Sequence, residues 1–101
     1  MTDVRDANSS EKIRVTGAQV RAGRSLIGMS AKNLASEAQV GINTVKRAEA
    51  ATGPITVTAA SAALIARALE DAGVIFISSE GQLGEGVRLR VPSKTTSPED
   101  A

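Results

Sequence analysis

The chain has 101 residues and a formal net charge of +1, with 42% hydrophobic and 23% charged residues, which predicts one small globular domain. Because histidine, cysteine, tyrosine and tryptophan are absent, the composition argues against a disulfide framework, a zinc site and the usual catalytic bases, so we expect no enzyme, metal, cofactor or small-molecule ligand. No apolar run approaches the roughly 20 residues that cross a bilayer, and no secretory segment is recognisable, so we expect a cytoplasmic protein that does not contact a membrane.

Polar segments without periodicity flank a candidate domain. Residues 1–12 predict a flexible N-terminal arm, and residues 92–101, with two prolines and no apolar run, predict a disordered tail. Residues 13–91 predict a mainly α fold, in which four helices are followed by a C-terminal β-hairpin over residues 74–91.

The first predicted helix covers residues 17–28. Val20, Gly23 and Ile27 form an apolar stripe along it, and Gly28 suits the left-handed backbone that often ends a helix. We expect this stripe to face the core of the domain.

Two short helices joined by a tight turn are predicted over residues 31–38 and 42–50. Ser30 and Gly41 stand at their N-cap positions. The positions that face inward are apolar, and a small side chain among them leaves room for a close helix crossing; these residues are Leu34, Ala35, Ala38, Val45 and Ala48.

The fourth predicted helix runs over residues 59–72, with Thr58 as its cap and Gly73 after its end. Its small apolar residues allow other helices to approach closely. The predicted buried stripe consists of Ile65, Ala68, Leu69 and Ala72.

A change to strand periodicity after residue 73 predicts the hairpin. Residues 74–77 are β-branched and aromatic, and residues 87–91 alternate at period two. The glycines between them predict a loose loop. Because a lone two-stranded hairpin is marginal in water, we expect it to pack on the helices or on a second subunit. Arg88 and Arg90 are interpreted as charges that protect an edge strand from aggregation, with contact to a neighbouring subunit or to the DNA backbone as the alternative.

The helix over residues 42–50 has a polar and basic outer face. Residues 12–50 contain seven basic and two acidic side chains, a net charge of +5, whereas the remainder of the chain sums to −4. A positive half suits a polyanionic partner, and an exposed helix has the width of the DNA major groove. We therefore expect this helix to enter the major groove of double-stranded DNA.

Asn43 and Arg47 lie one turn apart on that face and are the expected base contacts. Asparagine pairs with adenine and arginine with guanine through two parallel hydrogen bonds, although a merely solvated helix face is the alternative. For Ile42 two interpretations stay open, contact with a thymine methyl group or packing against the turn. Expected phosphate contacts, which position the domain without reading sequence, are Lys32, Asn33, Thr44, Lys46 and Arg21.

These residues together resemble the phage-repressor-like (Xre-type) helix-turn-helix transcription regulators over about residues 15–91. The resemblance lies in Ala35 and Val45 of the two short helices, and in the segments 72–76 (AGVIF) and 87–90 (VRLR). It implies a four-helix DNA-binding domain with the helix-turn-helix at its centre.

The resemblance also implies an ion pair between the first and third helices. An acidic residue at the end of the third helix pairs with an arginine of the first in that family, and Glu49 and Arg24 fill these roles. Such a pair would lock the two helices together, so we expect Arg24 to hold the structure and not to touch DNA.

Three positions depart from the family pattern. Ala31 replaces a phosphate-binding glutamine, Gln39 replaces the glycine of the turn, and Gly41 replaces a serine or threonine cap. A residue other than glycine in a left-handed turn costs about 1 kcal/mol. These departures, together with the modest overall charge, leave an alternative function open, in which the domain binds another regulator or a toxin.

The first interpretation is a sequence-specific DNA-binding regulator that acts as a repressor. One domain offers few base contacts, and two copies would double them. We therefore expect a homodimer on a two-fold DNA site, joined through the hairpin edge or through the fourth helix.

Overall fold

The computed structural model describes residues 15–51 and 57–92. In chain order these residues form the helices α1 (Gly17–Ile27), α2 (Ala31–Ala38), α3 (Ile42–Ala50) and α4 (Ala59–Asp71), followed by the strands β1 (Val74–Ile77) and β2 (Gly86–Leu89). The predicted mainly α fold with a C-terminal hairpin is confirmed. The predicted N-terminal arm lies outside the described residues, as does the predicted tail apart from its first residue, Pro92.

Side-chain caps begin three of these helices. The hydroxyls of Thr16, Ser30 and Thr58 accept a backbone N–H from the third residue of α1, α2 and α4, at 3.1, 3.0 and 3.1 Å. A cap of this kind contributes about 1 kcal/mol to helix stability. Gly41 begins α3 in an extended conformation and supplies no such bond. The start of α3 therefore depends on its packing against the other helices.

Left-handed residues end α1 and α2. Gly28, with a φ of 66°, follows α1, and Gln39, with a φ of 60°, follows α2. Behind Gln39 the N–H of Val40 donates to the carbonyl of Ala35 at 3.0 Å, which turns the chain sharply into α3. Gln39 adopts the conformation for which glycine is normally used, at a cost of about 1 kcal/mol.

The core is aliphatic and draws on every element. Its largest fully buried side chains are Val20, Leu34, Val45, Ile65, Leu69 and Val74. Each contributes about 1.5–3 kcal/mol by leaving water. Alanines fill the space where α2, α3 and α4 cross, and Ala35 is 6% exposed at this crossing.

The hairpin packs one of its faces against the helices. β1 and β2 are antiparallel, with Val74 opposite Leu89 and Ile77 opposite Gly86. Val74 is buried beside Gly23 of α1, where a Cβ atom would lie only 3.1 Å from the Cγ1 of Val74. This close approach fixes the base of the hairpin on α1.

Gln19 connects the start of α1 to the far end of the strands. Its Oε1 accepts the N–H of Thr16 at 2.9 Å, and its Nε2 donates to the carbonyls of Ile77 at 3.1 Å and Gly86 at 2.9 Å. Gln19 is only 5% exposed, and these bonds engage its amide oxygen and both N–H donors of its amide nitrogen. Gln19 therefore completes the cap of α1 and closes the hairpin onto it.

Three details of the sequence prediction are wrong. Ala72 is exposed, because it follows α4 as its C-cap and the chain turns away at Gly73, where φ is 107°. The second strand ends at Leu89 and not at residue 91, because its partner Val74 is the first residue of β1, and only the N–H of Arg90 still donates to the carbonyl of Gly73, at 2.8 Å.

The third error concerns the loop between the strands. Instead of a loose connection, Glu80 and Leu83 exchange two backbone hydrogen bonds of 2.8 and 2.9 Å around a tight turn. Gly81 has a φ of 61° at the first central position, which is typical of a type II′ hairpin turn.

Among the helices of the described residues, none combines the length and the apolar composition that a membrane span requires.

Candidate nucleic-acid interface

The helix α3 has one side in the core and one side in solvent. Val45 and Ala48 are fully buried, whereas Asn43, Lys46 and Arg47 are exposed. The inward pair faces α1, α2 and α4, so α3 is held as a surface rod with an amide, an ammonium and a guanidinium on its outer side. Amide and guanidinium groups can form hydrogen bonds with the edges of bases, and an ammonium group can contact a phosphate.

The structure separates the residues expected to read bases. Asn43 and Arg47 stand free on the outer face, but Ile42 is half-buried and packs against the hydrophobic core. Of the two interpretations of Ile42, its position favours packing against the turn. Thr44 is half-buried as well, so the expected phosphate contact at that position has less freedom than Lys46.

The start of α2 carries two more of the expected phosphate contacts. The side chains of Lys32 and Asn33 are exposed in the first turn of this helix. The backbone N–H of Asn33 already donates to the Oγ of Ser30, so this donor of the helix start is occupied by the cap. Contact with a phosphate at this end would therefore depend mainly on the two side chains.

Arg24 and Glu49, expected to pair, lie together between α1 and α3. The Nε of Arg24 donates to Oε2 of Glu49 at 2.6 Å, and its Nη2 donates to Oε1 at 2.9 Å. The Nη1 donates to the carbonyl of Met29 at 3.0 Å. The hydrogen bonds to Glu49, helped by its negative charge and opposed by burial, raise the pKa of Arg24 above its ordinary value. Arg24 therefore stays protonated, and its two hydrogen bonds hold the side chain of Glu49 away from the outer face of α3.

Arg21 of α1 reaches the C-terminal end of α3, whereas Ile42 lies at the N-terminal end of α3. Its Nη1 donates to the backbone carbonyl of Glu49 in the last turn of α3. Arg21 is an expected phosphate contact, but in the structure its guanidinium binds the protein backbone. Neither this contact nor the role of Gln19 was expected from the sequence. For Gln19 a signal existed, because Thr16 and Gln19 have the spacing of a capping box.

Charge is distributed unevenly between the two described ranges. Once the Arg24–Glu49 pair is set aside, residues 15–51 carry four basic side chains and one acidic side chain, Glu37. Residues 57–92 carry three basic and four acidic side chains, and two of the acidic ones, Glu80 and Glu85, lie in the loop of the hairpin. The helical side of the molecule is thus the side that would attract a polyanion.

Within residues 15–51 and 57–92 there is no group of three acidic side chains close enough to hold a metal ion. A cavity of about 170 Å³ lies between α1 and the hairpin. Its wall combines the small or apolar side chains of Ala18, Ala22 and Val87 with the polar side chains of Thr16, Gln19 and Glu85.

Comparison with known proteins does not assign the chain to a family. No protein-family model matches it, and no curated protein matches it.

Proposed function

We propose that this protein is a sequence-specific DNA-binding transcription regulator of the Xre type, which inserts α3 into the major groove. The observation that carries the proposal is the two-sided character of α3. Its inner side chains are fully buried, its acidic residue is turned inward by Arg24, and its outer side presents Asn43, Lys46 and Arg47. An exposed helix with this outer face matches the width and the hydrogen-bonding pattern of the major groove.

Specificity is assigned to Asn43 and Arg47. Their separation of four residues puts them one turn apart, about 6 Å along the helix axis, which spans about two base-pair steps. An asparagine–adenine or arginine–guanine pair discriminates against the wrong base by about 1–3 kcal/mol. Affinity that does not depend on sequence is assigned to Lys46, Lys32 and Asn33, with Thr44 beside them.

The proposed regulator acts as a homodimeric repressor in the cytoplasm. One α3 helix contacts only a few base pairs, whereas two copies related by a two-fold axis read two half-sites about one helical turn of DNA apart. Such a dimer, bound across a promoter, would block polymerase by occupying the DNA.

The direct test is a titration of the purified full-length chain with labelled duplexes. The native upstream region and a scrambled duplex of equal length are compared at two salt concentrations. We expect tighter binding to the native duplex and a steep loss of affinity as salt rises, because each neutralised phosphate adds about 0.9 to the slope of log K against log salt.

Substitutions in the same titration test the assigned site. We expect Asn43→Ala and Arg47→Ala each to reduce the preference for the native duplex about tenfold, which corresponds to the loss of one base contact. Gln82→Ala and Arg67→Ala remove an exposed amide and an exposed guanidinium from the hairpin turn and from α4, and should leave the preference unchanged. Equal preference in all four variants would refute the site.

The alternative is a module that binds another regulator or a toxin. The absence of a side-chain cap on α3 favours it, because phage-repressor-like domains usually hold a serine or threonine where Gly41 stands. A protein interface with an apolar centre responds weakly to salt. Binding to duplexes that is absent at low salt, together with salt-insensitive capture of a protein, would replace the first proposal with this one.

A further inference from the structure

We propose that Gly17 and Arg21 of α1 are positioning residues that set the orientation of α3, and that Arg21 is not a phosphate contact. This inference rests on the proposed function. Arg21 is thereby moved from the expected phosphate contacts to the residues that position α3. Gly17, which was not among the expected site residues, joins it. Both residues act on the same point, the C-terminal end of α3.

Gly17 lies against the last carbonyl groups of α3. A Cβ atom at this position would be 2.5 Å from the carbonyl oxygen of Ala51, 2.6 Å from that of Ala48 and 2.9 Å from that of Glu49. Real Cβ atoms do not approach backbone oxygens so closely, and here the obstacle is backbone that has no rotamer to change. Only glycine lets the first turn of α1 touch the last turn of α3.

Arg21 contacts the same turn of α3 from a position one helical turn further along α1. The last carbonyls of a helix lack partners within it, and a cation near them is favourable because the helix dipole is negative there. The Nη1 of Arg21 donates to the carbonyl of Glu49, while Arg24 binds the carboxylate of the same residue. Backbone and side chain of Glu49 are thus both fixed from α1.

These contacts fix the C-terminal end of α3 on α1, whereas its N-terminal end is held by the packing of Ile42 and Val45. Its start at Gly41 has no side-chain cap, and Asn43 lies six residues before Glu49, about 9 Å along the axis. A small rotation of α3 about its C-terminal end displaces Asn43 at the other end. A bidentate hydrogen bond to a base does not tolerate such a displacement. The fit of α3 in the groove therefore depends on residues that do not touch DNA.

The salt dependence of binding separates a positioning role from a phosphate contact. Arg21→Gln removes the charge but keeps an N–H donor, and Lys46→Gln is the matched variant at an expected phosphate contact. We expect Lys46→Gln to lower the salt slope by about 0.9 and Arg21→Gln to leave the slope unchanged while affinity for the native duplex falls about threefold. A drop of the slope by the same amount in Arg21→Gln would overturn the proposal.

Gly17→Ala tests the contact directly, with Gly23→Ala as its control. Both put a methyl group on α1, but the methyl at position 23 meets a side chain of the hairpin and leaves α3 alone. We expect Gly17→Ala to lower affinity for the native duplex about tenfold with less than a twofold effect on the scrambled duplex, and Gly23→Ala to lower neither selectively.

Residual dipolar couplings of the free variants give a readout without DNA. We expect the N–H vectors of α3 to rotate relative to those of α1 and α4 in Gly17→Ala but not in Gly23→Ala. Unchanged vectors in both variants would overturn the inference. If the native protein binds no duplex, the proposed function fails, and the dipolar couplings still decide whether Gly17 orients α3. Should Gly17→Ala not fold, Arg21→Gln supplies both measurements.

Discussion

Arg24 joins three parts of the chain through one guanidinium group. It binds both carboxylate oxygens of Glu49 and the carbonyl of Met29, so α1, α3 and the turn after α1 share one side chain. The side chains of Arg24 and Glu49 are 23% and 11% exposed, which removes much of the water that would otherwise screen the pair. Removing one partner leaves the other charge poorly hydrated.

We expect Glu49→Ala to destabilise the fold by about 2 kcal/mol, measured by urea unfolding. The double variant Arg24→Met/Glu49→Ala should lose less stability than the sum of the two single variants, because no unpaired charge remains.

The contribution of Arg24 to stability should not depend on pH near neutrality. Because the pKa of Arg24 is raised, this contribution is complete below the ordinary pKa and is lost only as pH rises through the raised pKa. The cost of Arg24→Met should therefore be constant between about pH 6 and about pH 10; a steady decline over that range would contradict this assignment.

Gln39 offers a stabilising substitution. Its left-handed backbone is the conformation that glycine adopts freely, so Gln39→Gly should raise the free energy of unfolding by about 0.5–1 kcal/mol after the larger chain entropy of unfolded glycine is subtracted. Ser36→Gly, at an exposed position inside α2, is the control and should destabilise by about 0.5 kcal/mol. A loss of stability in Gln39→Gly would show that the side chain of Gln39 makes a contribution larger than the strain.

Among the elements, the hairpin depends most on a single buried amide. Gln19 is the polar group that meets the carbonyls at the far end of both strands. We expect Gln19→Glu to destabilise the protein by about 2–3 kcal/mol, because a carboxylate cannot donate to these two oxygens and repels them. Gln82→Ala, in the exposed turn, should change stability by less than about 0.5 kcal/mol. Thermal unfolding measures both, and equal melting temperatures would refute the role of Gln19.

Local patterns were sufficient to predict the elements. The hydroxyls that cap α1, α2 and α4 and the glycine that ends α1 act within a few residues, so the sequence places the helix bounds closely. The end of β2 depends on where β1 begins, and the exposure of Ala72 depends on the turn at Gly73. Neither could therefore be predicted from the pattern of a single segment. Gln19 and Ile77 are 58 positions apart, and no periodicity relates them.

The candidate site shows the same division. Which side of α3 faces outward follows from the burial of Val45 and Ala48, so the exposure of Asn43 and Arg47 could be read from the spacing. Whether a basic residue meets a phosphate or the protein itself cannot be read in that way. The sequence gives Arg21 and Lys46 the same charge, and only the approach of α1 to the end of α3 distinguishes them.

The outer face of the hairpin is the best candidate for the contact of the proposed homodimer. Ile75 and Ile77 are 38% and 41% exposed on the face turned away from the helices, and Gly86 opposite Ile77 leaves that side chain uncovered. Arg88 lies opposite Ile75, so Ile77 is the expected centre of the contact. Among the residues of α4, Leu64 is a single exposed large apolar side chain, at 46%. A second copy would cover the two isoleucines of each hairpin.

We expect Ile77→Lys to abolish dimers, because a lysine at the centre of an apolar contact has no partner there. Leu64→Lys introduces the same change on α4 and should leave dimers intact. Sedimentation velocity with and without the native duplex measures both. Dimers that persist in Ile77→Lys and disappear in Leu64→Lys would move the contact from the hairpin to α4.

The bonds of Gln19 also bear on the order in which the fold is completed. Its two carbonyl partners follow it by 58 and 67 positions, so they leave the ribosome long after α1 has done so. Until then the amide stays hydrated, and the space beside Gly23 that Val74 occupies stays empty. The packing of the hairpin against α1 is therefore a late step, which can be completed only once residues 77 and 86 are available to the amide of Gln19.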